Sequence, residues 1–450
     1  MSEPAPLATV VIVNWNGAHL IGPCLEALAK QTEKRFVTWV VDNASTDGSL
    51  ELLARDHPEV RVLRNTVNKG FAGGNNTALH EVTSPFSVLL NNDARPEPDW
   101  LERLLAPFSA SGSERLGAVT AKVLFEPRFL RLELATEGFV PGAGDPRDLG
   151  VRIGAVTVDG DDVTERVLWE RLTWGPEGEG AARFRWTRPS GELLVPLPSG
   201  EGPRTVTIRW AAERTKPASL TWDGGSAQLA VTEGGGEARL DLPAGVPTVD
   251  VINNAGSVVL AGGYGADRGY QETDLGQYGS PEPVFAMCGC AVAFRTVAGH
   301  ELGWFDDDFF LYYEDTDLSW RLQAHGWSIR YEPTAVVRHI HAATSVEWSP
   351  RFVFHTDRNR LLMLTKNATA QLTLREVGRY PLTTASLALR ALRQASVGGG
   401  RPAVRPTLLR LRVIASYLRL LPGMLAKRRA LAAGATVGPA SLERNLQATR

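Results

Sequence analysis

Three carboxylates, Glu314, Asp315 and Asp317, stand within four positions of each other in the run Phe309-Phe310-Leu311-Tyr312-Tyr313-Glu314-Asp315-Thr316-Asp317-Leu318-Ser319-Trp320-Arg321-Leu322. Aromatic residues precede them and an amphipathic helix start follows. Leu318 and Leu322 fall one turn apart, and Gly326 stands where the helix should stop. Glu314 and Asp315 are therefore expected at a helix mouth, beside apolar surface that can desolvate them. A carboxylate in that setting has its pKa raised toward neutrality and can act as a general base. Ordinary first-turn acids, favoured there by the helix dipole, fit the same pattern. This segment alone leaves both readings open.

A second polar set lies in the first quarter of the chain. Thr9-Val10-Val11-Ile12-Val13 is a β-branched run suited to a strand buried on both faces, and Phe36 to Val41 is another. Helical spacing through Leu20, Cys24, Leu25 and Leu28 separates them. Val60 to Leu63 and Ser87 to Leu90 complete a βαβαβ alternation, with a helix from Ala72 to Glu81. Such alternation predicts a mostly parallel sheet with ligands beyond the carboxyl ends of its strands. Asn14-Trp15-Asn16-Gly17, Asp42-Asn43 and Asn91-Asn92-Asp93 stand at those ends, so polar side chains converge on one rim. The glycine loop Asn68 to Asn76, with Gly70 and Gly73, opens a helix whose N–H groups are expected to face a phosphate. A dinucleotide-binding turn would need Gly-x-Gly-x-x-Gly after the first strand, and Asn14-Trp15-Asn16-Gly17 lacks it.

These segments together resemble family-2 glycosyltransferases of the GT-A nucleotide-sugar fold, in the rhamnosyltransferase-like branch. Val10 to Asn16, Val41 to Ser49, the glycine loop and Leu89 to Asp93 resemble the donor half. Cys288 to Arg295, Gly303-Trp304-Phe305-Asp306, Tyr313-Glu314-Asp315, Gly326-Trp327 and Pro333 to His339 resemble the acceptor half. The resemblance implies an inverting transfer from a deoxythymidine- or uridine-diphosphate sugar to a glycan or lipid-linked glycan in cell-envelope polysaccharide synthesis. Rhamnose is the first expectation for the sugar. Asp42 is implied as the acid on the donor's base or ribose, with Asn14, Asn16, Asn43, Gly70, Gly73, Asn75 and Asn92 around the donor. Asp315 is implied as catalytic base beside Glu314, and Trp304, Asp306 and Tyr313 as acceptor contacts. Asp93 and His339, with His341 as the weaker candidate, are implied to hold Mg²⁺ or Mn²⁺. The segment Asn91-Asn92-Asp93 carries one carboxylate where many relatives carry two, which weakens the expected metal affinity. A non-catalytic carbohydrate-binding scaffold is the competing reading.

At 450 residues the chain should divide into domains. The expected divisions are 1–125 and 251–370 for the two halves, 126–250 for an insertion and 371–450 for a helical tail. In the insertion, Val151 to Val158 and Thr205 to Trp210 alternate faces between glycine-rich turns, which predicts an antiparallel β-sandwich. Its Trp169, Trp174, Trp186, Trp210 and Trp222 suit either a core or a sugar-stacking surface. The formal net charge of −2 hides a tail with fourteen Lys/Arg against two Glu from Gln371 onward. Leu408, Leu409, Val413, Leu420 and Leu421 interleave with arginines there, so the tail is expected either to cover the catalytic domain or to meet an anionic membrane surface. Gly398 to Pro402 reads as a break in that tail. No nucleic-acid-binding module accompanies the charge. Cysteines only at 24, 288 and 290 suit a reducing compartment, and no leader is expected before Ala8, so the expected place is the cytoplasm, at the inner face of the plasma membrane.

Overall fold

The structure is a computed structural model and describes residues 5–142, 144–169, 171–178, 183–198, 200, 202–340, 349–398 and 404–448, with backbone only at 394–398. The chain forms two compact units, one of residues 1–124, 253–270 and 276–450, the other of 125–252 and 271–275.

The first unit is built on a mixed sheet. In chain order its first elements are β1 (Ala8–Asn14), α1 (Ala18–Ala29), β2 (Phe36–Asp42), α2 (Ser49–Asp56), β3 (Arg61–Arg64), α3 (Gly70–Leu79), β4 (Phe86–Leu90), β5 (Ala94–Pro96), α4 (Trp100–Leu105) and β6 (Leu116–Phe125). The strands β4, β1, β2 and β3 lie side by side and parallel. The runs of β1 and β4 are buried on both faces and β2 is buried toward its carboxyl end, with Val10, Ile12, Val40 and Val88 wholly enclosed, whereas β3 at the sheet edge is partly exposed. Beyond β4 the sheet turns antiparallel through the strand Ala291–Arg295, then β6 and the strand Ser328–His339. This is the α/β architecture with a central, mostly parallel sheet that the sequence predicts.

Helices complete this unit: α5 (Thr296–Leu302), α6 (Glu314–Ala324), α7 (Pro350–Asn367), α8 (Ala370–Gly398) and α9 (Arg405–Gly434). Gly326 at φ 79° ends the α6 region, as its place in the sequence suggests. The tail packs on its own unit. Val413, Tyr417 and Met424 of α9 are buried in one cluster with Leu361 and Leu364 of α7. Leu409, Leu420 and Leu421 are half-buried, whereas Leu408 stays exposed. Among the described residues no helix is long and apolar enough to cross a membrane. Gly399 to Pro402 of the expected break lie outside the described residues.

The second unit holds two antiparallel sheets. One runs in the order Ser190–Pro196, Phe129–Thr136, Lys216–Trp222, Gly225–Val231. The other runs Thr173–Glu177, Phe184–Thr187, Arg152–Val158, Arg204–Ala211, Gly236–Leu242. Their inner residues, among them Leu132, Leu220, Val156 and Ile208, form one core, so the unit is a sandwich. Trp169 and Trp210 are buried in it. Trp174, Trp186 and Trp222 are half-buried, and arginines rather than an open platform cover two of them, Arg188 over Trp174 and Arg152 beside Trp186.

Candidate active site

Strand register assembles the rim. Asn14 pairs with Asp42 across β1 and β2, which aligns the two polar ends. Asn92 follows β4 and donates its amide to the Asn14 side chain at 2.8 Å, while Asn14 donates to Ser45 at 3.4 Å. Asn16, at φ 50°, accepts from the Thr46 N–H at 2.8 Å and so pins the loop after β2. Both asparagines thus brace the rim. Asp42 is buried, and only one of its oxygens has a partner, the Ser45 N–H at 3.2 Å. That leaves a buried acceptor of the kind a donor's N–H or O–H would satisfy.

Asp93 and His339 meet through a second register. The strand Ser328–His339 runs antiparallel to β5, with His339 opposite Ala94, and the Ile340 N–H donates to the Asp93 carbonyl at 3.1 Å. His339 Nε2 thereby comes within 3.1 Å of Asp93 Oδ1, and the Asn91 amide lies 3.5 Å from the same nitrogen. All three line a cavity of about 400 Å³, together with Trp15, Asn43, Asn75, Asn92, Phe310 and Arg351. One carboxylate and one imidazole suit a divalent cation that takes its remaining ligands from a substrate. Among the described residues no group of three or more His, Cys, Asp or Glu is gathered for a metal. His341 lies outside the described residues.

The glycine loop does something other than the sequence predicts. The Phe71 and Ala72 N–H groups both donate to the Phe310 carbonyl, at 2.7 and 3.3 Å. Gly70 N–H goes to the Asn68 side chain at 2.8 Å, and Lys69 N–H to Asn43 Oδ1 at 3.0 Å. These donors are consumed within the protein, so the loop end is a docking point for the segment around Phe310 and not an open phosphate cradle. Gly70 is required there: it sits at φ 72°, and a Cβ would fall 2.2 Å from the Phe310 oxygen. Asn43, which also donates to the Gly70 carbonyl, locks the loop from below. Asn75 donates to the Phe71 carbonyl at 2.9 Å and lines the cavity. Gly73 instead faces Lys69 and Asp307, outside the cavity lining.

The segment docked on that loop carries the carboxylates. Phe310, Tyr312 and Tyr313 all adopt positive φ, at 65°, 69° and 70°. Each such non-glycine residue costs on the order of 1–3 kcal/mol. Asn359 of α7 answers this strain, its amide donating to the carbonyls of Phe309, Leu311 and Tyr312 at 2.9, 2.9 and 2.7 Å. Arg358 adds bonds to the Asp308 and Phe309 carbonyls at 2.9 and 3.0 Å. The next residues, Glu314 and Asp315, open α6. Asp315 accepts from the Thr316 N–H at 2.6 Å and the Gly289 N–H at 3.4 Å. Burial drives its pKa up to about 6; the Thr316 bond restrains the rise and the Asp267 carboxylate adds to it. Asp315 does not itself line the cavity; Phe71 does, and its ring stands against Gly289 beside Asp315. Glu314 is more deeply enclosed, one of its oxygens has no partner, and burial followed by Asp315 pushes its pKa well up.

Two acceptor expectations are corrected. Trp304 is wholly buried, its ring edge-on to Phe294, so it is a core residue. Asp306 is buried in an ion network, 2.7 Å from Lys366 and paired with Lys427 of α9. Burial alone would raise Asp306, but the two lysines overcome it and hold the carboxyl at about 2. Lys366 also reaches Asp317 at 2.9 Å, and Asp317 binds Arg321 at 2.8 Å, so the third carboxylate of the opening run is structural. Tyr313 accepts from the Gly265 N–H at 3.2 Å, and burial raises its phenol to about 12. It braces the segment.

Residues 9–129 match the family model for glycosyl transferase family 2. That stretch is similar to the family, and the match takes in the parallel strands β1 to β4 and leaves the chain beyond residue 129 outside it. Over 122 residues the chain is 28% identical to Glycosyltransferase AglE of Haloferax volcanii, covering 26% of this chain and 40% of that protein. Over 88 residues it is 28% identical to UDP-Glc:alpha-D-GlcNAc-diphosphoundecaprenol beta-1,3-glucosyltransferase WfgD of Escherichia coli, covering 19% of this chain and 35% of that one. The chain therefore spans well under half the length of these curated relatives. A crystal structure of GalNAc-T7 with UDP, GalNAc and Mn²⁺ aligns over 94% of this chain and 57% of its own, at 13% identity and a TM-score of 0.45. The family-2 match ends before the α6 carboxylates. Sequence reasoning missed Asn359, Arg358 and Arg351 altogether; for the first two, the polar run Asp357-Arg358-Asn359-Arg360 directly before the apolar Leu361-Leu362-Met363-Leu364 was the available signal.

Proposed function

We propose that the chain is an inverting glycosyltransferase that moves a sugar from a nucleoside diphosphate to a hydroxyl of a glycan or lipid-linked glycan in cell-envelope polysaccharide synthesis. The observation that carries this reading is the Asp93–His339 pair in a cavity at the carboxyl ends of a parallel sheet. Asp42, with its unpartnered buried oxygen, would take the donor's base or ribose. Asp93 and His339 would hold Mg²⁺ or Mn²⁺, which would neutralise the leaving diphosphate when bound. Arg351, at the cavity, is a further cation for those phosphates.

Asp315 would take the proton from the acceptor hydroxyl. The acceptor oxygen then bonds to the anomeric carbon from the face opposite the diphosphate, and the carbon–oxygen bond to the diphosphate breaks with its electron pair leaving on phosphate oxygen. A single displacement of this kind needs one base and no covalent enzyme intermediate, unlike a retaining hydrolase with its two flanking carboxylates. The donor is proposed to be a deoxythymidine or uridine diphosphate sugar, with rhamnose first and galactofuranose or another hexose next. The name of the WfgD relative specifies a lipid-diphosphate acceptor, which supports a lipid-linked acceptor here and a place at the inner face of the plasma membrane.

A melting-temperature panel of nucleotide sugars, with Mn²⁺, Mg²⁺ or a chelator, tests the donor reading. Stabilisation by a uridine or thymidine diphosphate sugar that the chelator reduces is the expected result. No stabilisation by any nucleoside diphosphate would favour the carbohydrate-binding scaffold.

A further inference from the structure

The tail helices keep an outward face that their packing does not use. On α9, Leu411, Leu418 and Leu425 recur every seven residues and are 50, 57 and 40% exposed, with Leu408 on the same side. Arg405, Arg412 and Arg419 recur at the same interval and are exposed beside them. On α8, Leu382 and Leu389 are exposed opposite the buried Tyr380 and Thr384, and Arg379 and Arg390 adjoin them. The one carboxylate among the described residues of the two helices is Glu376, which is buried and paired with Arg360 and Arg375. The leucines that the sequence suggests for membrane contact are largely the other face, since Val413, Leu409, Leu420 and Leu421 turn toward the core.

We propose that this leucine–arginine face docks on an anionic lipid bilayer, the leucines sinking among the headgroups and the guanidinium groups binding lipid phosphates. From Leu408 to Leu425 the row is about 26 Å long at the rise of an α-helix, and a row of that length lies in the plane of a bilayer surface. Charge selects the partner. A second copy of the chain meeting this face would bring like charges together with no acidic row to receive them, whereas anionic lipid complements both the charge and the apolar row. The inference needs nothing from the transfer chemistry, so either can fail without the other.

The test is flotation of the full chain with vesicles of phosphatidylglycerol and phosphatidylcholine, against vesicles of phosphatidylcholine alone. Binding to the anionic vesicles only, weakening as salt rises, is expected. L411S/L418S/L425S should lose most of it, and R405Q/R412Q/R419Q should lose roughly a hundredfold in affinity. Both variants should keep the wild-type melting temperature, because the six side chains lie on the solvent side. Wild-type partitioning of either variant, or equal binding to both vesicle types, would overturn the proposal. So would a dimer in light scattering that the leucine variant converts to monomer.

Discussion

Asp315 should impose an acid limb on the transfer rate. Its carboxyl titrates at about 6, so activity should climb as pH rises through 6 and level off above it, measured with saturating donor. The same shift has a sign for stability. The folded pKa lies above the ordinary 3.8, so the folded state binds more protons between pH 4 and 6, and stability falls as pH rises through that window. Asp315→Asn removes this penalty. The variant should be inactive yet more stable than wild type at pH 7, by about 1–3 kcal/mol, and equal to it near pH 4, in denaturant titrations at both pH values. Residue type and spacing made Asp315 legible because a helix start beside aromatics already implies desolvation. Trp304 and Asp306 were misread because their surroundings come from far along the chain. Lys366 and Lys427, which take up Asp306, lie at least 60 positions away.

At the scale of elements, the segment Phe309–Tyr313 is set between α3 and α7. Gly70 lets α3 approach it, and Asn359 holds three of its carbonyls. Asn359→Ala should cost about 1–3 kcal/mol of stability, since carbonyls lose their donor. If the segment positions Asp315, kcat per folded molecule should fall with KM for the donor little changed; a wild-type kcat per folded molecule would mean a purely structural role. Gly70→Ala should destabilise by at least about 1–3 kcal/mol, because it adds a left-handed penalty and a clash with the Phe310 oxygen. The parallel half of the sheet was readable from its β-branched runs. The glycine loop was readable as a helix opening, but its partner was not, because a contact from Phe71 to Phe310 leaves no local pattern.

For the whole molecule, the ion network of Asp306, Asp308, Asp317, Lys366 and Lys427 ties α6, α7 and α9 into one body. Lys366→Met should cost about 3–5 kcal/mol by stranding buried carboxylates. Asp306 is held below its ordinary pKa, so its contribution is present above about pH 4 and is lost as pH falls toward 2. Ending the chain at residue 398 would remove Lys427 and the buried Val413, Tyr417 and Met424, and should leave an aggregating or molten protein by near-UV circular dichroism. Composition announced a basic, leucine-rich tail but could not say which leucines face inward; that division follows from the packing of α9 on α7. The donor cavity and the separate base are tested together by one comparison: donor binding and sugar transfer by Asp315→Asn and Asp93→Asn. Asp315→Asn should bind the nucleotide sugar like wild type and transfer none, whereas Asp93→Asn should lose binding. Transfer at the wild-type rate by Asp315→Asn would contradict the account.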